Sequence, residues 1–463
     1  MTETSNRTRY LILLATSIGA VVNPLLGSMI ILALPTIGTD FIVSARDLGW
    51  VSTSFILANA ICLVPAARLV DKIGYKKSYI LGSIIVSVSC FLSIFSPSYA
   101  VLIALRVLAG CGISLVMITS LAILTRIFPK NKRGFVIGIN TAMVYVGLSV
   151  GPVLGGILTE SFGWQSLFIV MTPLILCSAV LLFIFLKEEF TEPVLFFDKV
   201  GTVLYAAAIF CLMYGLSTIT EYGSAFLALA GFILLIIFVW YELKQKYPIL
   251  HISLFFKNKR FARASLAALL NYGAVYGVIY FVSLYLQSVG QLTATEAGLI
   301  ILFQPMIQAV MTPVSGKISD KVDPKYLVTI GMILTLVGVL LLAGLGFMSD
   351  GFASYIAITQ VFIGLGAALF AAPNTSDIMS SVPKAEYSTA SGIVAVVRQL
   401  GMLVSMAICM ASISIFVGGT DMLGPEMHAE FILSMQVAMV ICAVLALIGV
   451  FFSWFRGKAE YDE

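Results

Sequence analysis

Three ionisable side chains stand inside or against long apolar stretches of this sequence: Arg106, Arg398 and Asp377. An arginine held in lipid costs on the order of 3 kcal/mol even on permissive scales, so such a residue marks a wet cavity, a partner or an ion path. A carboxylate in that setting can cycle a proton. Asp377, near the inner end of the apolar run around 353–376, is the acid best placed to do so, and no acid sits in the middle of a run. Glu160, Glu221 and Glu296 fall near the outer ends of runs. Enzymatic chemistry finds no constellation: the two histidines, His251 and His428, lie in loops far apart, and neither an H-E-x-x-H pair nor a Walker P-loop occurs. An enzyme, a metal site and an organic cofactor are therefore not expected. The seven cysteines (62, 90, 111, 177, 211, 409 and 442) all fall in apolar stretches and read as small buried hydrophobes.

Uncharged polar residues recur within the same stretches. Asn23, Asn140, Tyr145, Asn271, Tyr272, Tyr276, Gln304, Gln308, Gln360, Asn374 and Gln399 are, with Arg398, the candidates to line a cavity. Tyr272, Tyr276 and Tyr280 step by four, which places them on one helix face. Aromatic groups with few charges suit a bulky, amphipathic small molecule.

The elements that carry these residues follow from composition. The chain of 463 residues is 60% hydrophobic and only 11% charged, with a mean hydropathy of +1.04. Soluble domains carry about 25% charged residues, so the bilayer must be the solvent here. A spanning helix needs roughly 20 apolar residues. Fourteen such runs occur, near 10–34, 48–67, 78–96, 99–125, 136–158, 165–186, 199–217, 223–241, 264–289, 296–316, 326–347, 353–376, 388–417 and 431–455. The first is longer than a secretory core and reads as a retained span. With both termini placed in the cytoplasm, all but three of the 27 lysines and arginines fall on inner segments, the exceptions being Arg46, Arg106 and Arg398. The net charge of +4 thus tracks topology and does not point to nucleic acid.

The two halves of the chain resemble each other. ARLVDKIGYKK at 67–77 parallels GKISDKVDPK at 316–325, pairing Asp71 with Asp320 at an offset of 249. ALRVLAGCG at 104–112 parallels ITQVFIGLG at 358–366 at an offset of 254, which also pairs Pro129 with Pro383 and Gly138 with Gly392. The expected organisation is a six-helix bundle over 1–190, two inserted central helices over 191–245 and a second six-helix bundle over 246–463. Parallel repeats of this kind place a substrate near the bilayer midplane.

One stretch combines a stripe and a bend. In GINTAMVYVGLSVGPVLGG, residues 138–156, Gly147, Gly151 and Gly155 recur every four residues and form a smooth face for a neighbouring helix. Pro152 lacks an N–H and clashes with the carbonyl of Leu148, bending the helix. Gly138, Gly147, Gly151, Pro152, Gly155 and Gly156 together match every fixed position of the antiporter signature G-x8-G-x3-G-P-x2-G-G. On this match the chain resembles the major facilitator superfamily, and within it the fourteen-helix drug:proton antiporters. A second motif, the loop between spans two and three, supports this: Asp71, Lys72, Gly74 and Lys76 follow the family's G-x-L-x-D-R-x-G-R-K pattern, with Ala67 and Tyr75 departing from it. A third is Arg106 in the frame Arg106-Val107-Leu108-Ala109-Gly110.

The resemblance implies an all-α integral membrane protein with the major facilitator fold: two six-helix bundles, two extra central helices, fourteen spans and both termini cytoplasmic. It implies export of amphipathic drugs at the plasma membrane by a monomer, with a proton gradient as the driving force and the lipid bilayer and substrate as partners. It also implies a cytoplasmic latch at Asp71 and Asp320, and substrate or proton handling at Arg106. The sequence departs from the family where its first span carries an acid, since that position is Leu26. The coupling carboxylate is therefore unassigned, with Asp377 the candidate. A uniporter, or an exporter of an endogenous metabolite or lipid precursor, is the alternative.

Overall fold

A chain surrounded by hydrocarbon must satisfy its backbone polar groups internally, which leaves helices as the simplest solution. The computed structural model describes residues 6–129, 133–191, 198–246, 248–319, 321–347, 351–383, 387–418 and 424–457, and no strand occurs among them. The first six helices are α1 (Asn6–Phe41), α2 (Ala45–Ile73), α3 (Tyr75–Ser93), α4 (Tyr99–Ile127), α5 (Arg133–Phe162) and α6 (Gln165–Phe185). Next come α7 (Lys199–Ser217) and α8 (Ser224–Lys244), the short α9 (Ser253–Lys257) and α10 (Lys259–Leu284). The last six are α11 (Ala294–Ile301), α12 (Phe303–Ser319), α13 (Pro324–Ala343), α14 (Phe352–Ser380), α15 (Tyr387–Phe416) and α16 (His428–Trp454).

Among the described residues thirteen helical stretches are long and apolar enough to cross a membrane. The fourteenth expected span is α3, whose 19 residues open on Tyr75-Lys76-Lys77 and carry Ser78, Ser83, Ser87, Ser89 and Ser93, which dilutes its hydropathy. The tenth span is divided into α11 and α12 at Leu302. Pro305 accounts for this, because it offers no N–H to the Ile301 carbonyl one turn back and its ring crowds that carbonyl. The ninth span ends in one π-helical turn, Tyr285–Val289.

The chain forms two compact units. One gathers α1, α2 from Trp50 onward, α3 to α6 and Thr293–Gly298. The other gathers Ile42–Gly49, α7 to α10, the rest of α11 and α12 to α16. In the first unit α1 packs on α5 and α6, and α3 packs on α4 and α6. In the second α10 packs on α15 and α16, and α13 packs on α14 and α16. The same arrangement is therefore built twice.

The repeat extends to single atoms. A methyl on Gly82 would lie 2.6 Å from the Gly112 carbonyl oxygen, and one on Gly112 would lie 2.8 Å from that of Gly82. Gly331 and Gly366 cross in the same way, each 2.7 Å from the other's carbonyl oxygen. These pairs sit at the two offsets read from the sequence. Only glycine permits helices to approach this closely.

Candidate functional site

In the first unit the glycines of α5 meet α1. A methyl on Gly147 would stand 2.8 Å from the Val21 carbonyl oxygen, one on Gly155 would stand 2.7 Å from Met29 Cα, and one on Gly151 would collide with Ser28 Oγ. Ser28 fills the space this leaves and donates to the Gly147 carbonyl at 3.3 Å. Gly156 faces another neighbour, with the Ala294 carbonyl oxygen 2.5 Å from its missing methyl. Pro152 lies within α5, and so does Gly138. Asn140, also on α5, donates to the Thr16 carbonyl at 3.2 Å.

The second unit repeats this stripe in other residues. A methyl on Gly401 of α15 would lie 2.7 Å from the Leu269 carbonyl oxygen of α10, and Ser405 Oγ accepts from the Gly277 N–H at 2.8 Å. One turn on, Cys409 Sγ faces the Gly277 carbonyl at 3.5 Å. Gly401, Ser405 and Cys409 stand at the 254-residue offset from Gly147, Gly151 and Gly155. The sequence reading missed this stripe because serine and cysteine do not register in a glycine pattern, although both are small enough to serve.

Arg106 of α4 is buried, with 1% of its surface exposed. Its Nε donates to the Val51 carbonyl of α2 at 2.9 Å, and its guanidinium lies 4.5 Å from the centroid of the Phe55 ring. It therefore turns inward onto α2 and does not reach along the helix toward an interface. Gly110 makes this possible, since any side chain there would strike the Phe55 carbonyl. The counterpart position in the second unit is Gln360, which is fully buried, and the matching glycine, Gly364, lies against the backbone of Gln304.

The turn between α2 and α3 holds the expected latch residues. Gly74 has φ +109°, and α3 starts directly after it. Asp71 is half-buried and accepts from the Tyr75 hydroxyl at 2.7 Å. Lys72 is exposed, and the Lys76 ammonium lies 5.0 Å over the Phe183 ring. The carboxylate at the N-terminus of α3 comes from Glu189, whose two oxygens accept from the N–H groups of Lys76 at 2.9 Å and Lys77 at 3.2 Å. A negative charge there complements the helix dipole. Arg126 covers the turn, its guanidinium 4.2 Å from the Tyr75 ring. Asp320 lies outside the described residues.

Asp377 of α14 is completely buried and tied at both oxygens. Oδ1 accepts from Nε of Arg260 at 2.8 Å and also from its Nη2, and Oδ2 accepts from Nη1 of Arg456 at 2.9 Å. Burial pulls the Arg456 guanidinium below its usual range, and the charge of Asp377 opposes that. Asp323, which caps α13, stands 3.9 Å from Arg260. The carboxylate thus joins the start of α10, the end of α14 and the segment after α16. Sequence reasoning assigned Arg260 and Arg456 to topology alone. The signal available was that both are arginines, the residue suited to forked pairing with a carboxylate.

The remaining polar candidates divide between the units. Asn23 of α1 donates to Met117 Sδ at 3.4 Å, and Tyr145 of α5 is half-buried. In the second unit Asn271 donates to Met332 Sδ at 3.0 Å, and Asn374 donates to the Ala264 carbonyl at 3.2 Å. Gln304 and Gln399 are buried, while Tyr272, Tyr276, Gln308 and Arg398 are half-buried. Tyr272 packs under Gly401, so one member of the tyrosine series supports a helix crossing.

Repeated helical packing in an apolar chain, with a buried cation on α4 and a glycine-seated α5, describes a multi-pass membrane protein. The chain matches the Major Facilitator Superfamily over residues 16–406 and belongs to it. It is 29% identical to the riboflavin transporter RibZ of Clostridioides difficile, over 96% of this chain and 97% of that one. It is 30% identical to the multidrug resistance protein Stp of Mycobacterium tuberculosis, over 87% of this chain and 75% of that one. Among solved structures, a bacterial homolog of the human lysosomal transporter Spinster, in an inward-facing and unoccupied conformation, superposes with a TM-score of 0.72. That match covers 98% of this chain and 97% of the other at 18% identity, a likeness of fold.

Proposed function

We propose that the chain is a secondary active transporter that exports hydrophobic or amphipathic small molecules across the plasma membrane by proton antiport with alternating access. The observation that carries this reading is the α5 stripe, where Gly147, Gly151 and Gly155 seat α1 and Pro152 stands inside the same helix. Relatives named as a riboflavin transporter and a multidrug resistance protein support a small-molecule cargo. Arg106 serves substrate or proton handling from its buried seat on α2, and the turn at Asp71, Lys72, Gly74 and Lys76 serves as a conformational latch. Asp377 serves as a structural tie. A second reading, export of an endogenous metabolite without proton coupling, draws on that tie and on Leu26, which together leave the spans without a free central acid.

Transport in proteoliposomes with an imposed pH gradient separates the two, using a lipophilic dye and riboflavin as cargo. Proton antiport requires that uptake follow the gradient and collapse with an ionophore. Uptake indifferent to the gradient selects the second reading. Arg106→Ala, tested in the same vesicles, is expected to abolish turnover while the protein still elutes as a folded species. Undiminished turnover would reduce Arg106 to packing.

A further inference from the structure

Two carboxylates meet where α7 begins and α8 ends, on the helix pair that has no counterpart in the repeat. Asp198 caps α7, and its Oδ1 accepts from the Gly201 N–H at 2.9 Å and from the Tyr241 hydroxyl at 3.0 Å. Glu242 stands in the last turn of α8, and its Oε2 accepts from the Leu250 N–H at 3.1 Å. The other oxygens, Asp198 Oδ2 and Glu242 Oε1, are buried and have no hydrogen-bond partner among the described residues. The two side chains belong to residues only 5% and 2% exposed. Both orphan oxygens aim at one place, each lying 2.6 Å from the position that a methyl on Gly201 would take. They are therefore separated by at most twice that distance. Ile249 Cδ1 closes the same place from another side at 3.0 Å.

Among the described residues no cation hydrogen-bonds to either orphan oxygen. Lys199 of α7 and Lys244 of α8 are exposed, and the Lys244 ammonium lies 3.6 Å over the Trp240 ring. Lys246 and His251 lie in the segment after α8, each with an interaction of its own, and neither hydrogen-bonds to an orphan oxygen. On α15, which also packs against α7, the charged side chain is Arg398, and it does not hydrogen-bond to either orphan oxygen. Two carboxylates crowded into one buried site, with no donor on the oxygens aimed at it, keep one proton between them. A single O–H···O bond would also satisfy both orphan atoms at once.

We propose that Asp198 and Glu242 form a proton-binding site, with one proton shared between Asp198 Oδ2 and Glu242 Oε1. Asp198 accepts two hydrogen bonds from fixed donors and Glu242 accepts one, so Asp198 is the better stabilised anion and Glu242 carries the proton. Release breaks the Oε1–H bond and passes the proton to water, leaving two carboxylates that repel. Uptake reverses the step. Because Glu242 also holds Leu250, that repulsion bears on the segment leading into α9 and α10. The use of this proton to drive export rests on the antiport reading, whereas its binding does not.

The test is infrared difference spectroscopy of the purified full chain in liposomes, titrated from acid to alkaline pH. The wild type should show a protonated-carboxyl band that bleaches as pH rises. Glu242→Gln, which keeps an acceptor for Leu250, should remove the band. Asp198→Asn, which removes the like charge, should move its midpoint to lower pH. A wild-type band that is absent, or that neither variant alters, overturns the proposal. So does a band erased at neutral pH by sodium, magnesium or calcium, because the site would then belong to a metal ion. If transport proves independent of the pH gradient while this titration persists, the antiport reading fails and the proton site stands.

Discussion

Arg456 donates to Asp377 across 2.9 Å with both side chains fully buried, and Arg260 occupies the other oxygen of the same carboxylate. One acid thus compensates two guanidinium groups drawn from opposite ends of the second repeat. Breaking a buried ion pair by removing one partner costs about 3–5 kcal/mol, because the charge left behind has lost its compensation. Asp377→Asn is expected to destabilise the protein by that order, read as a lowered unfolding midpoint of the detergent-purified chain. Arg260→Gln should cost less, since Arg456 keeps its partner and Arg260 is partly exposed. Equal midpoints for wild type and Asp377→Asn would remove the tie from the account of this fold.

The two small-residue stripes predict matched defects. Overpacking a close crossing costs about 1–3 kcal/mol where the backbone cannot yield. Gly151→Leu drives a side chain into Ser28, and Gly401→Leu drives one into the Leu269 carbonyl and Tyr272. Both variants should insert and lose most turnover in the vesicle assay. Gly392→Ala, at a position with nothing within 4 Å of the added methyl, should behave as wild type. Normal turnover by either leucine variant would show that its crossing opens without consequence.

What the sequence disclosed and what it hid follow one division. Apolar runs fixed by hydropathy came out within a few residues, as with 199–217 against Lys199–Ser217. The repeat was legible because glycines at helix crossings, such as Gly112 and Gly366, admit no substitute. Hidden were the partners chosen by tertiary approach. Glu189 was one charge in a polar stretch, and it caps α3 from a distance of more than 100 positions. Glu242 stood at the edge of an apolar run, where a carboxylate normally faces water, and only the fold turned it toward Asp198. Span prediction reads each helix against lipid, and these contacts depend on which helices meet.

Gly74 and Glu189 supply a coupled prediction. Gly74 holds φ +109° and ψ 152°, a region essentially reserved for glycine that costs an L-residue about 1–3 kcal/mol. A methyl at this position would also collide with the Glu189 carboxylate that caps α3. Gly74→Ala should therefore lose both backbone ease and the cap, whose charge at a helix N-terminus is worth about 0.3–1 kcal/mol. In a Glu189→Ala background the collision and the cap are already gone, so Gly74→Ala should cost only the backbone strain. Contacting residues give non-additive penalties of about 0.5–3 kcal/mol in double-mutant cycles. Unfolding midpoints of the wild type, the two single variants and the double variant measure that term directly. Strictly additive penalties would mean that Glu189 does not occupy the α3 terminus in the folded protein, and the latch turn would then owe its shape to Gly74 alone.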